Sequence, residues 1–384
     1  MTGIDLARGF YVDVVAPLLR RYAGDLSYSA ALIGPGSEVL GFDDDVSTDH
    51  HWGPRVLIFT SDADATARSA DLHAMLAERL PTEYGGYPTN FTDPDPDDNG
   101  TQLLHPVESG PVNHRVEIVG LHDWLAGYIG SERTGAILPV DAVGWLTIPQ
   151  QKLRTLIAGE VFHDGLHAAE AGFGGKEHGA LAAVRSALAW YPDDAWRYLI
   201  AAVWQRIAQE EPLVGRAGQN GDEIGARLIA MRLVRDAMRL CFLAERQYAP
   251  YAKWFGRAFA DLDAARTFGP LLGAVAAATG WRDRDGALAS VYSELAVLHN
   301  SLSITRPMPT EPHGFFSRPF TVLAIEGFAQ ETLDTIDASW LTPRMRRSPI
   351  GGIDLLSDNT DLLEDPAYRD DLRRLIGGTD VALE

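Results

Sequence analysis

Between residues 34 and 55 the chain reads Gly-Pro-Gly-Ser, then a run of acids, then Thr-Asp-His-His-Trp-Gly-Pro-Arg, and this segment holds the residues best suited to chemistry. Gly36 has no side chain, so the backbone there can approach an anionic group closely, and the amide and hydroxyl of Ser37 can donate to its oxygens. Asp49 and His51 stand two apart, ahead of an apolar run that begins at Arg55. On an extended chain such residues project from one face and can reach the same ion. A carboxylate is a hard ligand suited to Mg²⁺, whereas imidazole suits Mn²⁺ or Zn²⁺ better. Arg55 is the nearest cation to an anion bound there. Asp43, Asp44 and Asp45 share the loop; they read first as solvated surface and second as a source of a further carboxylate.

The elements that must position these residues follow from periodicity. Leu6, Phe10, Val14, Val15, Leu18 and Leu19 recur at helical spacing over 4–22. SYSAALIG and RVLIFT (55–60) are short apolar runs of strand type, and HRVEIVGL at 114–121 is a third. Asp62 is placed to cap a helix running to about Leu80, where Pro81 closes it. FTDPDPDDNG at 91–100 is dense in turn residues. Beyond Trp145 the pattern becomes helical, with helices expected over 176–190, 195–210, 221–246 and 286–302. The fold class expected is α+β: a small mixed-sheet domain over 1–145, a larger all-α bundle over 146–352, and a peripheral acidic tail over 353–384.

Composition narrows the partners. The chain has 384 residues, with 33 basic against 53 acidic side chains and a net charge of -20. Such a surface repels polyanions, so nucleic acid is a poor partner, and any nucleotide needs local cations. The single cysteine, Cys241, excludes an internal disulfide and a multi-cysteine metal cage, which fits a reducing cytoplasm. No stretch reads as an export signal or membrane span. Oligomeric state cannot be read from the sequence.

The order Gly36-Ser37 after a strand, Asp49 with residue 51 about a dozen residues later, and an acid, Glu117, on a later strand resembles the signature of the DNA polymerase beta-like nucleotidyltransferases. In that superfamily Gly-Ser is followed by Asp-x-Asp at the edge of the next strand, so His51 departs from the pattern. The resemblance implies that Asp49, residue 51 and Glu117 hold Mg²⁺ or Mn²⁺, and that Gly36, Ser37 and Arg55 receive the phosphates of an NTP, ATP first. It implies transfer of NMP to a hydroxyl of a small acceptor with release of pyrophosphate. The alternatives are a nucleotide- or partner-binding protein whose metal site has decayed at His51, and an enzyme that modifies a protein or toxin partner.

AQEEPLVGRAG and YAPYAKWFGRAF resemble segments of a helical domain that accompanies such catalytic domains. By similarity to aminoglycoside nucleotidyltransferases, Glu210 or Glu211 is the candidate general base, and Arg216, Tyr251 and Lys253 are candidate phosphate or substrate contacts. An alternative is that the two glutamates simply end a helix before Pro212. Trp254, Phe255 and Phe259 read as core. His163 and His167 have the i, i+4 spacing of a helical zinc pair, although Gly165 weakens the helix and no third ligand is evident.

Overall fold

A computed structural model describes the whole chain except residues 45, 47–51, 99, 131–137, 140, 170–178, 338 and 378–384. The protein is mixed α+β and divides into two compact units. Unit 1 comprises 1–138 and 152–189; unit 2 comprises 139–151 and 190–384.

In unit 1 the opening helical run consists of α1 (Gly3–Phe10), a wider π turn over Tyr11–Val15, and α2 (Ala16–Tyr22). A four-stranded mixed sheet follows, made of β1 (Ser29–Leu32), β2 (Arg55–Thr60), β5 (Arg115–Gly120) and β6 (Glu160–Asp164) in the spatial order β5-β2-β1-β6. Between them lie α3 (Asp62–Arg79), the small hairpin β3 (Glu83–Tyr84) and β4 (Tyr87–Pro88), and α4 (Leu121–Ile129). Strand β1 runs antiparallel to β2 and β6, whereas β2 and β5 are parallel and pair Arg55 with Arg115 and Leu57 with Glu117.

Strand alternation sorts the two faces. Ala30, Val56, Ile58 and Val116 join Phe10, Val15 and Leu19 of the opening helices and Leu72 and Leu76 of α3 in one core. The opposite face carries Arg55, Leu57 and Phe59 of β2 beside Arg115, Glu117 and Val119 of β5. Trp124 of α4 meets Phe59 edge-on at 5.2 Å and stacks on Tyr128 at 5.1 Å.

Unit 2 is built on long helices: α8 (Asp193–Gln219), α9 (Glu223–Ala244), α10 (Ala252–Ala260), α11 (Ala265–Ala277) and α12 (Trp281–Ser301). Trp204 and Leu240 are fully buried within it. Short C-terminal helices, α15 (Ile353–Leu356), α16 (Thr360–Glu364) and α17 (Arg369–Gly377), complete it.

Several expectations are corrected. Ser61, not Asp62, caps α3, accepting the Asp64 N–H at 3.1 Å. Residues 152–189 belong with the sheet rather than with the helical region, because β6 pairs along β1. His163 therefore lies on a strand opposite Ala30, and His167 forms an isolated bridge with Gly179, so the helical spacing of a zinc pair does not exist. The helix expected at 176–190 is confined to α7 (Ala180–Ala187) among the described residues. Helix α8 runs through Pro212 instead of ending at Glu211. The segment after Gly352 is not peripheral up to residue 377: Ile353 and Ile376 are fully buried.

Candidate functional site

The loop that leaves β1 turns at Gly36 with φ +143°, a backbone state that suits glycine. A Cβ there would lie 2.4 Å from the Arg55 guanidinium and 2.7 Å from the Glu38 carboxylate, so the glycine also makes room for that ion pair. Arg55 Nε donates to Glu38 Oε1 at 2.8 Å, and its terminal nitrogen donates to the Pro35 carbonyl at 2.6 Å. The pair is sheltered, with side-chain exposures of 12% and 5%. Arg55 is thus a clamp that ties the start of β2 to the loop after β1. Its charge stands beside the Gly36-Ser37 turn, as expected, but much of its donor capacity is engaged inside the protein.

Trp124 closes on the loop from α4, near enough that a Cβ at Gly34 would meet it at 3.1 Å. Lys152 adds a buried cation to this side of unit 1: its ammonium donates to the Tyr128 carbonyl at 2.8 Å and sits 5.0 Å above the Tyr128 ring. Neither Glu38 nor Lys152 was marked by a sequence motif.

Glu117 projects on the same sheet face as Arg55, paired with its strand neighbour Arg115 at 2.9 Å and 43% exposed. Asp49 and His51 lie outside the described residues, as does Asp45. Asp43 has a structural role: one carboxylate oxygen accepts the Gly3 N–H at 2.7 Å and the Trp52 indole N–H at 3.2 Å. Asp44 accepts the Val46 N–H at 3.0 Å.

The one metal-sized grouping among the described residues was not expected from the sequence. Asp62, His122 and Asp123 each place a ligand atom within 4.8 Å of the others. His122 Nδ1 is 3.5 Å from Asp62 Oδ2 and 4.0 Å from Asp123 Oδ1. They gather where β2 and β5 end, the opposite end of the strand pair from Arg55 and roughly 17 Å away at about 3.3 Å per residue. Glu117 does not belong to this group.

The candidates from the helical segment fall in unit 2. Glu210 is paired with Arg232, at 3.0 and 2.9 Å. Glu211 is 1% exposed, and its carboxylate accepts the N–H groups of Leu323, Ala324 and Ile325 at 2.9, 3.1 and 3.0 Å. Burial pushes its carboxyl up to about 7 against the pull of those three donors. As a general base Glu211 is corrected to a structural acceptor, because nothing outside the fold can reach it. Arg216 is exposed on α8, and Lys253 is exposed on α10 with its ammonium 4.9 Å above the Trp254 ring. Phe259 is core as expected, while Trp254 and Phe255 are only half-buried.

Residues 145–255 match the family model described as Domain of unknown function (DUF4037). No curated protein and no solved structure matches the chain. The matched segment takes in α8, α9 and the start of α10, and it includes Glu210, Glu211, Arg216 and Lys253. No helix among the described residues is long and apolar enough to cross a membrane.

Proposed function

We propose that the protein transfers a nucleoside monophosphate, AMP from ATP, to a hydroxyl of a small-molecule acceptor and releases pyrophosphate. The observation that carries this reading is the shared sheet face: the Gly36-Ser37 turn abuts Arg55 at the start of β2, and Glu117 sits one strand over, two residues along. A half-exposed carboxylate on the same sheet face as a guanidinium that abuts a glycine turn supplies the donor and acceptor types that a nucleoside triphosphate and a divalent ion need. Asp49 and His51 precede Arg55 by six and four residues, within reach of the same region along the chain.

In this reading Asp49, His51 and Glu117 would hold Mg²⁺ or Mn²⁺, which neutralises phosphate charge when bound. Ser37 donates to a phosphate oxygen, and Arg55, fixed by Glu38, presents positive charge without having to reorganise. The acceptor oxygen bonds to the α-phosphorus, the bond from that phosphorus to the bridging oxygen breaks, and pyrophosphate leaves with the electron pair. The acceptor's hydroxyl proton passes to solvent as the new bond forms. The net charge of -20 favours a cationic or neutral acceptor over nucleic acid.

The test is pyrophosphate release from each NTP with Mg²⁺ or Mn²⁺ against pooled small metabolites. Asp49→Asn and Glu117→Gln should each abolish release while leaving the thermal melt near wild type. His51→Asp should raise activity with Mg²⁺ relative to Mn²⁺, because an oxygen ligand suits the harder ion. Release that survives Asp49→Asn with metal still bound would overturn the assignment. So would a wild type that binds ATP yet releases nothing under any condition.

A further inference from the structure

Strands β2 and β5 run parallel and stop in register, with Thr60 opposite Gly120, and each leads directly into a helix. Asp62 is the first residue of α3; His122 and Asp123 are the second and third of α4. Two junctions distant in sequence thus bring an imidazole and two carboxylates to the carboxyl ends of parallel strands, where sheets of this kind commonly receive their ligands.

The grouping is built around Asp62. Its Oδ1 accepts the Asp123 N–H at 3.2 Å, which leaves Oδ2 beside His122 Nδ1 at 3.5 Å. Asp123 Oδ1 stands 4.0 Å from the same nitrogen. Both separations exceed the usual N–H···O range of about 2.7–3.2 Å, so the imidazole lies between two carboxylates and is bonded to neither. An ion bound at about 2.0–2.2 Å needs its ligand atoms roughly 3.0–3.5 Å apart. Rotation of the Asp123 side chain, 77% exposed, closes the wider gap. Gly120 makes room for the arrangement. Its φ of -68° and ψ of 131° are open to any residue, so backbone freedom does not call for glycine there. A Cβ on Gly120 would instead collide with Asp62 Oδ1 and stand 2.8 Å from the Asp62 Cα.

We propose that Asp62, His122 and Asp123 form a binding site for a divalent ion of the zinc class, held by His122 Nδ1 and one oxygen of each aspartate. The imidazole turns the preference from Mg²⁺ towards Zn²⁺. With side-chain exposures of 35%, 41% and 77%, the three ligands leave the ion's remaining positions facing solvent, where it can hold a water or an oxygen of a small ligand. The site is contained in unit 1 and shares no ligand with the ion site proposed above for nucleotidyl transfer.

The test is calorimetric titration of the full chain with Zn²⁺ and with Mg²⁺, on an Asp49→Asn background that disables the other proposed ion site. One equivalent of Zn²⁺ should bind more tightly than Mg²⁺ and be lost with the ligands. His122→Gln should weaken it at least about 100-fold and Asp123→Asn about tenfold, since even an outer-shell partner is worth roughly 10–100-fold in affinity. Both side chains are exposed, and thermal melts without metal should match the parent. Co²⁺ supplies a second reading: the visible absorption that a nitrogen ligand gives it should appear with the parent and vanish with His122→Gln. Zn²⁺ affinity unchanged in both variants overturns the proposal, because ions on other histidines give that result. Failure of the parent to bind Zn²⁺ at submillimolar concentration, or binding of Mg²⁺ more tightly than Zn²⁺, overturns it as well.

Discussion

Arg55 in unit 1 and Arg235 in unit 2 are each paired with a carboxylate, yet the two pairs differ in what they leave undone. Arg55 bonds Glu38 through Nε and the Pro35 carbonyl through a terminal nitrogen, in a sheltered setting, so its fork holds a loop to a strand. Arg235 reaches an Asp358 that is 63% exposed, and its own Nε has no acceptor among the described residues. A charge that is sheltered and fully coordinated is part of the architecture; one paired with a half-exposed carboxylate is screened by water and holds less of the fold. The distinction lies in the partners, since the residue type is the same.

The largest test of this contrast is a pair of substitutions. Glu38→Gln leaves the sheltered Arg55 without its counter-charge and should cost about 3 kcal/mol. Arg235→Gln, at a solvent-screened pair, should cost less than about 1 kcal/mol. Chemical denaturation of both variants measures the difference, and equal losses would break the comparison. Glu211→Ala belongs with the first kind: it strands the N–H groups of residues 323–325, two of them buried, and a loss of about 3 kcal/mol is expected in the same assay. A loss below about 1 kcal/mol would mean that those amides find other acceptors.

Acid separates the units by sign. In unit 1 the Val116 N–H donates to His114 Nδ1 at 3.1 Å, which requires a neutral ring, and burial holds its pKa down to about 4. In unit 2 the Trp204 indole N–H donates to His299 Nδ1 at 3.1 Å, and burial likewise lowers it to about 4. Both folded values lie below the ordinary value of 6.5, so the stability from a neutral ring is complete above that pH and is lost as pH falls towards 4. Glu211, raised to about 7, and Asp236, raised to about 6, act oppositely: the folded state binds their protons first, so acidification through this window stabilises unit 2. Residue-resolved hydrogen exchange at pH 7 and pH 5 should show the amides of β5 and α3 losing about 2 kcal/mol of protection, and those of α8 gaining protection. His114→Gln should remove most of the loss in unit 1. Equal losses in both units would contradict the assigned offset.

The smallest effect is expected at Gly36→Ala. The strained φ and the close approach to Arg55 should cost about 1–2 kcal/mol, read as a lower melting temperature. A neutral outcome would show that the Arg55–Glu38 clamp can shift to admit a methyl group.

Much of the architecture was legible in the chain. RVLIFT is β2 at both ends, and the apolar runs around 29–32 and 115–120 are strands, because buried strands advertise themselves by continuous apolar, β-branched composition. Helices α8, α9 and α12 were legible by period, whereas α10 and α11 were not marked as helices. EVFHD was not read as a strand: it is short and half-buried, and only pairing with β1 makes it one. Pro212 read as a helix end, but α8 continues through it, packed against its neighbours in unit 2.

The sequence by itself determined the α+β class, the helical character of the larger unit, the placing of Gly36-Ser37 after a strand, and the position of Glu117 on a later one. Tertiary structure alone decided that residues 152–189 return to the sheet, that Arg55 is clamped by Glu38, that Glu211 caps a backbone turn 112 residues away, and that Arg235 and Arg239 line a cleft with Asp358. The physical reason is range. Propensity and periodicity act over a few neighbouring residues and are written locally, whereas the partner that satisfies a buried charge is chosen by which distant segments the core brings together.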